Sequence, residues 1–112
     1  MKKIEAIIRS TKFEKVRSAL AMIGVRFFTL IEVKGYGLEG GEKLVYRGHA
    51  YDTHFIGRLR LDIIATEDKV DEVVDTIMKS AQTGEIGDGK ITIMGVDNVF
   101  RIRNGEQGPD AL

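Results

Sequence analysis

Apolar residues recur along this chain with two different spacings, and each switch between them marks a new element. Residues 2–9 (KKIEAIIR) are short and rich in isoleucine, which predicts a first strand. Thr11 and Glu14 then stand at capping-box spacing. Phe13, Val16, Leu20 and Ile23 follow at helical intervals, and Gly24 supplies the stop. Residues 26–36 (RFFTLIEVKGY) are aromatic and β-branched and predict a second strand. Across 57–65, Leu59, Leu61 and Ile63 alternate with Arg58, Arg60 and Asp62, as in a strand with one buried face. Thr66 is placed to cap a second helix, with Glu67 and Asp68 near its positive end. Val70, Val73, Val74, Ile77, Met78 and Ala81 form its apolar face, and Gly84 ends it. A glycine-rich turn, 84–90, leads into a strand at 91–96 (ITIMGV).

Between the second and third strands the periodicity disappears. Residues 37–54 scatter Gly37, Gly40, Gly41 and Gly48 among charged side chains. A patternless stretch of that length inside a compact domain is usually functional or disordered, and it leaves room for a short hairpin. Residues 98–103 read as a short extended or turn segment, and the polar tail at 104–112 is expected to be flexible. The order β-α-β, long loop, β-α-β predicts an α+β, ferredoxin-like βαββαβ sandwich, with both helices on one face of an antiparallel sheet.

Composition narrows this picture. At 112 residues, 43% hydrophobic and 30% charged, the chain reads as one globular domain spanning 1–112. A domain this small leaves apolar surface exposed, so self-association is expected. Seventeen basic residues balance seventeen acidic ones, which gives no general attraction for nucleic acid or an anionic membrane. With no cysteine, disulfides, thiolate zinc sites and thiol catalysis are out of reach. The first ten residues are too polar for a signal peptide, and no run approaches the ~18 apolar residues of a membrane span. A cytoplasmic location without membrane insertion is expected.

Candidate chemistry concentrates in few places. In Gly87-Asp88-Gly89-Lys90, two glycines let main-chain N–H groups approach an anion and Lys90 adds a charge. That is either a phosphate cradle or simply a tight turn into a strand; it is not a Walker A loop. Arg101 and Arg103 flank Ile102, which would put two guanidinium forks on one side of an extended segment, for phosphate or for solvent. Tyr46, Arg47 and Tyr51 on the long loop suit a recognition tip, or are incidental there. Glu39, His49, Asp52 and His54 share that loop and could ligate a metal, though at no established spacing. No nucleophile elbow or acid–base pair is recognisable, so the chain reads as a binder and not an enzyme.

Together these segments resemble the PII nitrogen-regulatory signal proteins over essentially the whole chain. The matching runs are KKIEAIIR, Glu32-Val33-Lys34-Gly35-Tyr36-Gly37, and Tyr46-Arg47-Gly48 with Tyr51. The most specific are Ala81-Gln82-Thr83-Gly84, then Ile86-Gly87-Asp88-Gly89-Lys90-Ile91, and Arg101-Ile102-Arg103 followed by Gly105-Glu106. The resemblance implies a homotrimer that binds ATP or ADP in clefts between subunits, with Mg²⁺ as an accompanying ion. One wall would hold Ile7, Thr29, Gly35, Tyr36, Gly37 and Ile64. The neighbour's wall would hold Gly87, Asp88, Gly89, Lys90, Arg101 and Arg103, and Asp62 stands at a nucleotide-site position where glutamate is common. Residues 37–55 would be the T-loop, docking onto a membrane transporter or a metabolic enzyme, and Tyr51 coincides with the family's uridylylated tyrosine.

This chain also departs from the pattern. Glu39 replaces a glutamine that helps hold the metal for 2-oxoglutarate, and its charge argues against that effector. Arg58 replaces the usual lysine at the effector carboxylate, keeping charge but not geometry. Three readings follow: a nucleotide-sensing regulator of nitrogen metabolism; a divergent relative controlling a metal or bicarbonate transporter through another effector; or a ferredoxin-like enzyme using the glycine turn on phosphates.

Overall fold

The computed structural model describes the backbone of residues 1–36, 44–46, 49–51 and 55–112, and the side chains of 1–36 and 57–112. The chain runs β1 (Lys2–Arg9), α1 (Phe13–Met22), β2 (Thr29–Tyr36), β3 (Leu44–Tyr46), β4 (His49–Tyr51), β5 (Phe55–Ala65), α2 (Glu67–Ala81) and β6 (Lys90–Gly95). Four strands form one sheet in the order β2-β5-β1-β6, every pair antiparallel. β3 and β4 pair as a separate hairpin, Val45 opposite Ala50, in the stretch where the pattern left room for one. This is the ferredoxin-like arrangement the alternation predicts.

The core lies between one face of the sheet and the two helices. β1 gives it Ile4, Ala6 and Ile8, and β5 gives Leu61 and Ile63. Val16 and Leu20 come down from α1, and Val70, Val73, Ile77 and Ala81 from α2. The period-two and period-3.6 patterns thus meet in one cluster. The other face carries charge instead: Lys3, Glu5, Arg60 and Asp62 interlock, with Arg60 3.1 Å and Lys3 3.4 Å from Asp62. No helix among the described residues is long and apolar enough to cross a membrane.

Several boundaries differ from expectation. The capping box does not form. The chain enters α1 through a 3₁₀ turn, Ser10–Lys12, which absorbs Thr11, and Glu14 pairs with Arg17 at 2.8 Å instead. β2 starts at Thr29, because the preceding residues close α1: Gly24 turns at φ +89 and the Val25 N–H bonds the Leu20 carbonyl. Phe28 then sets its ring edge-on to Phe13, centroids 6.2 Å apart. α2 stops at Ala81, where Gln82 turns extended, and Met78 on its predicted apolar face is 49% exposed. The 104–112 tail is tied down where flexibility was expected. Phe100 bridges Gln107, the Gly108 N–H donates to the Val99 carbonyl at 2.9 Å, and Gly108–Ala111 form a 3₁₀ turn.

Candidate phosphate-binding turn and its arginine supports

The turn between α2 and β6 is organised around one carboxylate. Asp88 Oδ2 accepts the main-chain N–H groups of Thr83 and Gly84, each at 2.9 Å. Its Oδ1 accepts the Thr83 hydroxyl and, at 3.0 Å, Arg9 Nε. Arg9 Nη2 also donates to the Ile86 carbonyl at 2.9 Å. The Thr83 hydroxyl, its main-chain N–H and the Arg9 guanidinium hold the Asp88 carboxyl well below the usual carboxylate range. Asp88, expected to touch a nucleotide, therefore spends its acceptor capacity shaping the loop.

Glycine is required on both sides of it. Gly89 has φ +101, and a Cβ there would lie 1.7 Å from the Ile7 carbonyl oxygen. The turn passes directly over the β1 backbone at Ile7, whose register partner is Lys90. Gly87, at φ +104, would drive a Cβ to 2.8 Å from Arg58 Nη2 and 3.3 Å from Arg9 Nη2. The peptide units of the turn are thus exposed on one side and packed against arginines and strand on the other.

Arg58 is only 9% exposed, although the alternating pattern assigned it to the open face of β5. That face is covered at this point by the 87–88 turn and by Arg9, its partner in register. Burial, then the neighbouring Arg9 charge, lowers the Arg58 pKa, while Asp88 acts in the opposite sense. Lys90 is exposed and makes no ion pair with any described residue. Beside it, Ile7, Ile77, Met78 and Gln82 help enclose a cavity of about 180 Å³ that Asp88, Gly89 and Lys90 complete.

The structure regroups the expected residues. Ile7 belongs with 87–90 in the same chain, not on the opposing wall. Gly35 and Tyr36 close β2 at that same end of the sheet, beyond the Val33–Arg58 pair. Thr29 pairs with Asp62, and Ile64 lies opposite Lys3, towards the other end. Asp62 is engaged by Lys3 and Arg60. Arg101 and Arg103 follow β6 at that far end, so one chain does not bring them to Lys90.

Nor is their segment extended. The Arg101 N–H donates to the Glu106 carbonyl and the Gly105 N–H to the Arg101 carbonyl, both at 2.8 Å, closing a turn that leaves Arg103 exposed. Gly37, Glu39, Arg47, Asp52 and His54 lie outside the described residues, as do the side chains of Tyr46, His49 and Tyr51. No group of three or more metal-ligating side chains occurs among those described.

Sequence reasoning missed Arg9 and Thr83, the residues that set the turn. The signal for Arg9 was available: it is two residues beyond Ile7 on the same strand face. Thr83 gave none, because its partner is fixed only by how the loop folds back.

These features define a small ferredoxin-like module with a glycine turn and a lysine at one end of its sheet. Comparison with known proteins sharpens the class. The family model described as nitrogen regulatory protein P-II matches residues 1–106. Over all 112 residues, covering both chains fully, this protein is 47% identical to the nitrogen regulatory protein P-II of Klebsiella oxytoca. On the same full coverage it is 46% identical to nitrogen regulatory protein P-II 1 of Escherichia coli strain K12. The crystal structure of Arabidopsis thaliana PII bound to citrate superposes with a TM-score of 0.80 at 36% identity, over 98% of this chain and 87% of that one. The chain belongs to the nitrogen regulatory protein P-II family.

Proposed function

We propose that this protein is a non-enzymatic regulator that binds ATP or ADP in clefts between the subunits of a homotrimer. Occupancy is relayed through residues 37–55 to a partner in nitrogen metabolism, a transporter or an enzyme. The observation that carries the reading is the turn 87–90. Two positive-φ glycines are pressed against strand and arginines, the carboxylate is turned inward, and Lys90 pairs with no acidic side chain among the described residues. A turn of this build presents donors and positive charge to an anion, and its acidic member is neutralised internally. The nitrogen-regulatory names of the relatives favour nitrogen control over service to a metal or bicarbonate transporter.

Mg²⁺ can accompany the nucleotide, whereas the extra charge of Glu39 works against 2-oxoglutarate. The nucleotide shifts the loop by the difference in its affinity for two loop states and by no other means. The reading is tested by calorimetry with ATP and ADP. Lys90→Ala and Arg103→Ala should each weaken binding by about 1–3 kcal/mol, the worth of a charge-assisted hydrogen bond, while sedimentation still reports a trimer. Undiminished ATP affinity in both variants would refute the site, and a monomeric wild type would refute the cleft.

A further inference from the structure

The nucleotide reading asks Arg101 to hold phosphate, yet its guanidinium already has occupants. Nη1 donates to the Glu106 carboxylate, and Nη2 donates to the main-chain oxygens of Asp110 at 3.0 Å and Leu112 at 3.2 Å. The turn at 101–106 presents that carboxylate, and the 3₁₀ turn Gly108–Ala111 with Leu112 just after it presents the oxygens. The same segment lays Pro109 and Leu112 along a cavity of about 350 Å³ that Phe27 and Ile64 also line. A guanidinium grips a phosphate through two parallel N–H groups, either the Nε/Nη2 edge or the Nη1/Nη2 edge. Both edges use Nη2, and its two N–H groups are spent on Asp110 and Leu112.

We propose that residues 106–112 form a clasp that competes with a nucleoside polyphosphate for Arg101. The ligand must release the segment to be held there, and the segment, once free, reports occupancy at the end of the sheet opposite the long loop. The proposal rests on the nucleotide reading above. The Arg101–Glu106 pair is half-exposed, with side chains 29% and 47% accessible, so the clasp is weak enough for a phosphate to displace.

The test is ATP titration calorimetry on the full chain, on Glu106→Gln, and on a chain ending at Gln107, each with Arg101 intact and as Arg101→Ala. With Arg101 intact, both changes should tighten ATP by roughly 2–5-fold, the worth of one exposed ion pair. In the Arg101→Ala background neither should have an effect. Unchanged or weaker ATP binding in both clasp variants overturns the proposal. So does an Arg101→Ala chain that binds ATP like the wild type, and if Lys90→Ala still weakens binding in that case, the nucleotide reading survives without the clasp. A wild type that takes up no ATP sinks the reading itself.

Discussion

Replacing Gly89 with alanine should damage this protein far more than the same change five residues earlier. Both glycines have positive φ, +101 at Gly89 and +88 at Gly84, so both variants carry the strain of an L-residue in that region, of order 1–3 kcal/mol. A Cβ at Gly84 meets nothing within 4 Å, whereas at Gly89 it falls 1.7 Å from the Ile7 carbonyl oxygen. The backbone fixes the position of that methyl and the atom it meets is main chain, so no side chain can swing aside. The start of β6 must lift away from β1 and give up the Ile7–Lys90 pairing. Overpacking of this kind adds about 1–3 kcal/mol, for a total of roughly 2–6 kcal/mol. At ~4 °C per kcal/mol for a domain of this size, Gly89→Ala should melt ~8–24 °C below the wild type and Gly84→Ala only ~4–12 °C below. Circular dichroism melts and urea midpoints at one fixed protein concentration would measure both, since assembly couples stability to concentration. If the two variants agree within ~0.5 kcal/mol, the close approach over Ile7 is not what demands glycine.

Two further outcomes follow from charge. The folded-state pKa of Asp88 is depressed, so its bonds to Thr83, Gly84 and Arg9 support the fold above the ordinary carboxylate value and lose that support as acidity rises. Between pH ~5 and ~2 the urea midpoint of the wild type should therefore fall more steeply than that of Asp88→Asn, and the gap between them should narrow; parallel curves would refute the assignment. On the proposed reading, Glu39→Gln removes a negative charge that opposes the anionic effector and should tighten 2-oxoglutarate in the presence of MgATP by roughly tenfold or more. Calorimetry showing no gain would place the obstacle elsewhere, Arg58 being the next departure to revert.

The fold was legible wherever burial alone decides structure. Alternation in β5 and the face of α2 pointed directly at the cluster of Leu61, Ile63, Val73 and Ile77. Legibility failed where long-range partners override a local signal. Thr11 and Glu14 have the spacing of a capping box, but Arg17 takes the glutamate and the 3₁₀ turn takes the threonine. Arg58 sits at a solvent-face position in the pattern, yet a turn from the far end of the chain buries it. The 104–112 tail is polar, but Asn98, Val99 and Arg101 satisfy its backbone. The motif 87–90 was visible as residues; that its aspartate faces inward was not, because Arg9 is seventy-nine residues away in sequence.

The regrouping of the site bears directly on assembly. β6 separates Lys90 from the arginine segment by its whole length, about 17 Å at the usual rise per residue. Lys90 is bound in register to Ile7 at one end, while Gly95 pairs with Lys2 at the other. A triphosphate is shorter than that gap, and Arg101 is directed towards its own tail. A ligand held by both the 87–90 turn and the 101/103 arginines must then draw them from different chains. On the nucleotide reading proposed above, the two halves of the site stand at opposite ends of one sheet and would be completed only where the Lys90 end of one protomer meets the Thr29, Asp62 and Ile64 end of the next. On this argument binding and assembly are one property, and a substitution that splits the subunits should abolish nucleotide affinity without touching a single ligand-facing residue.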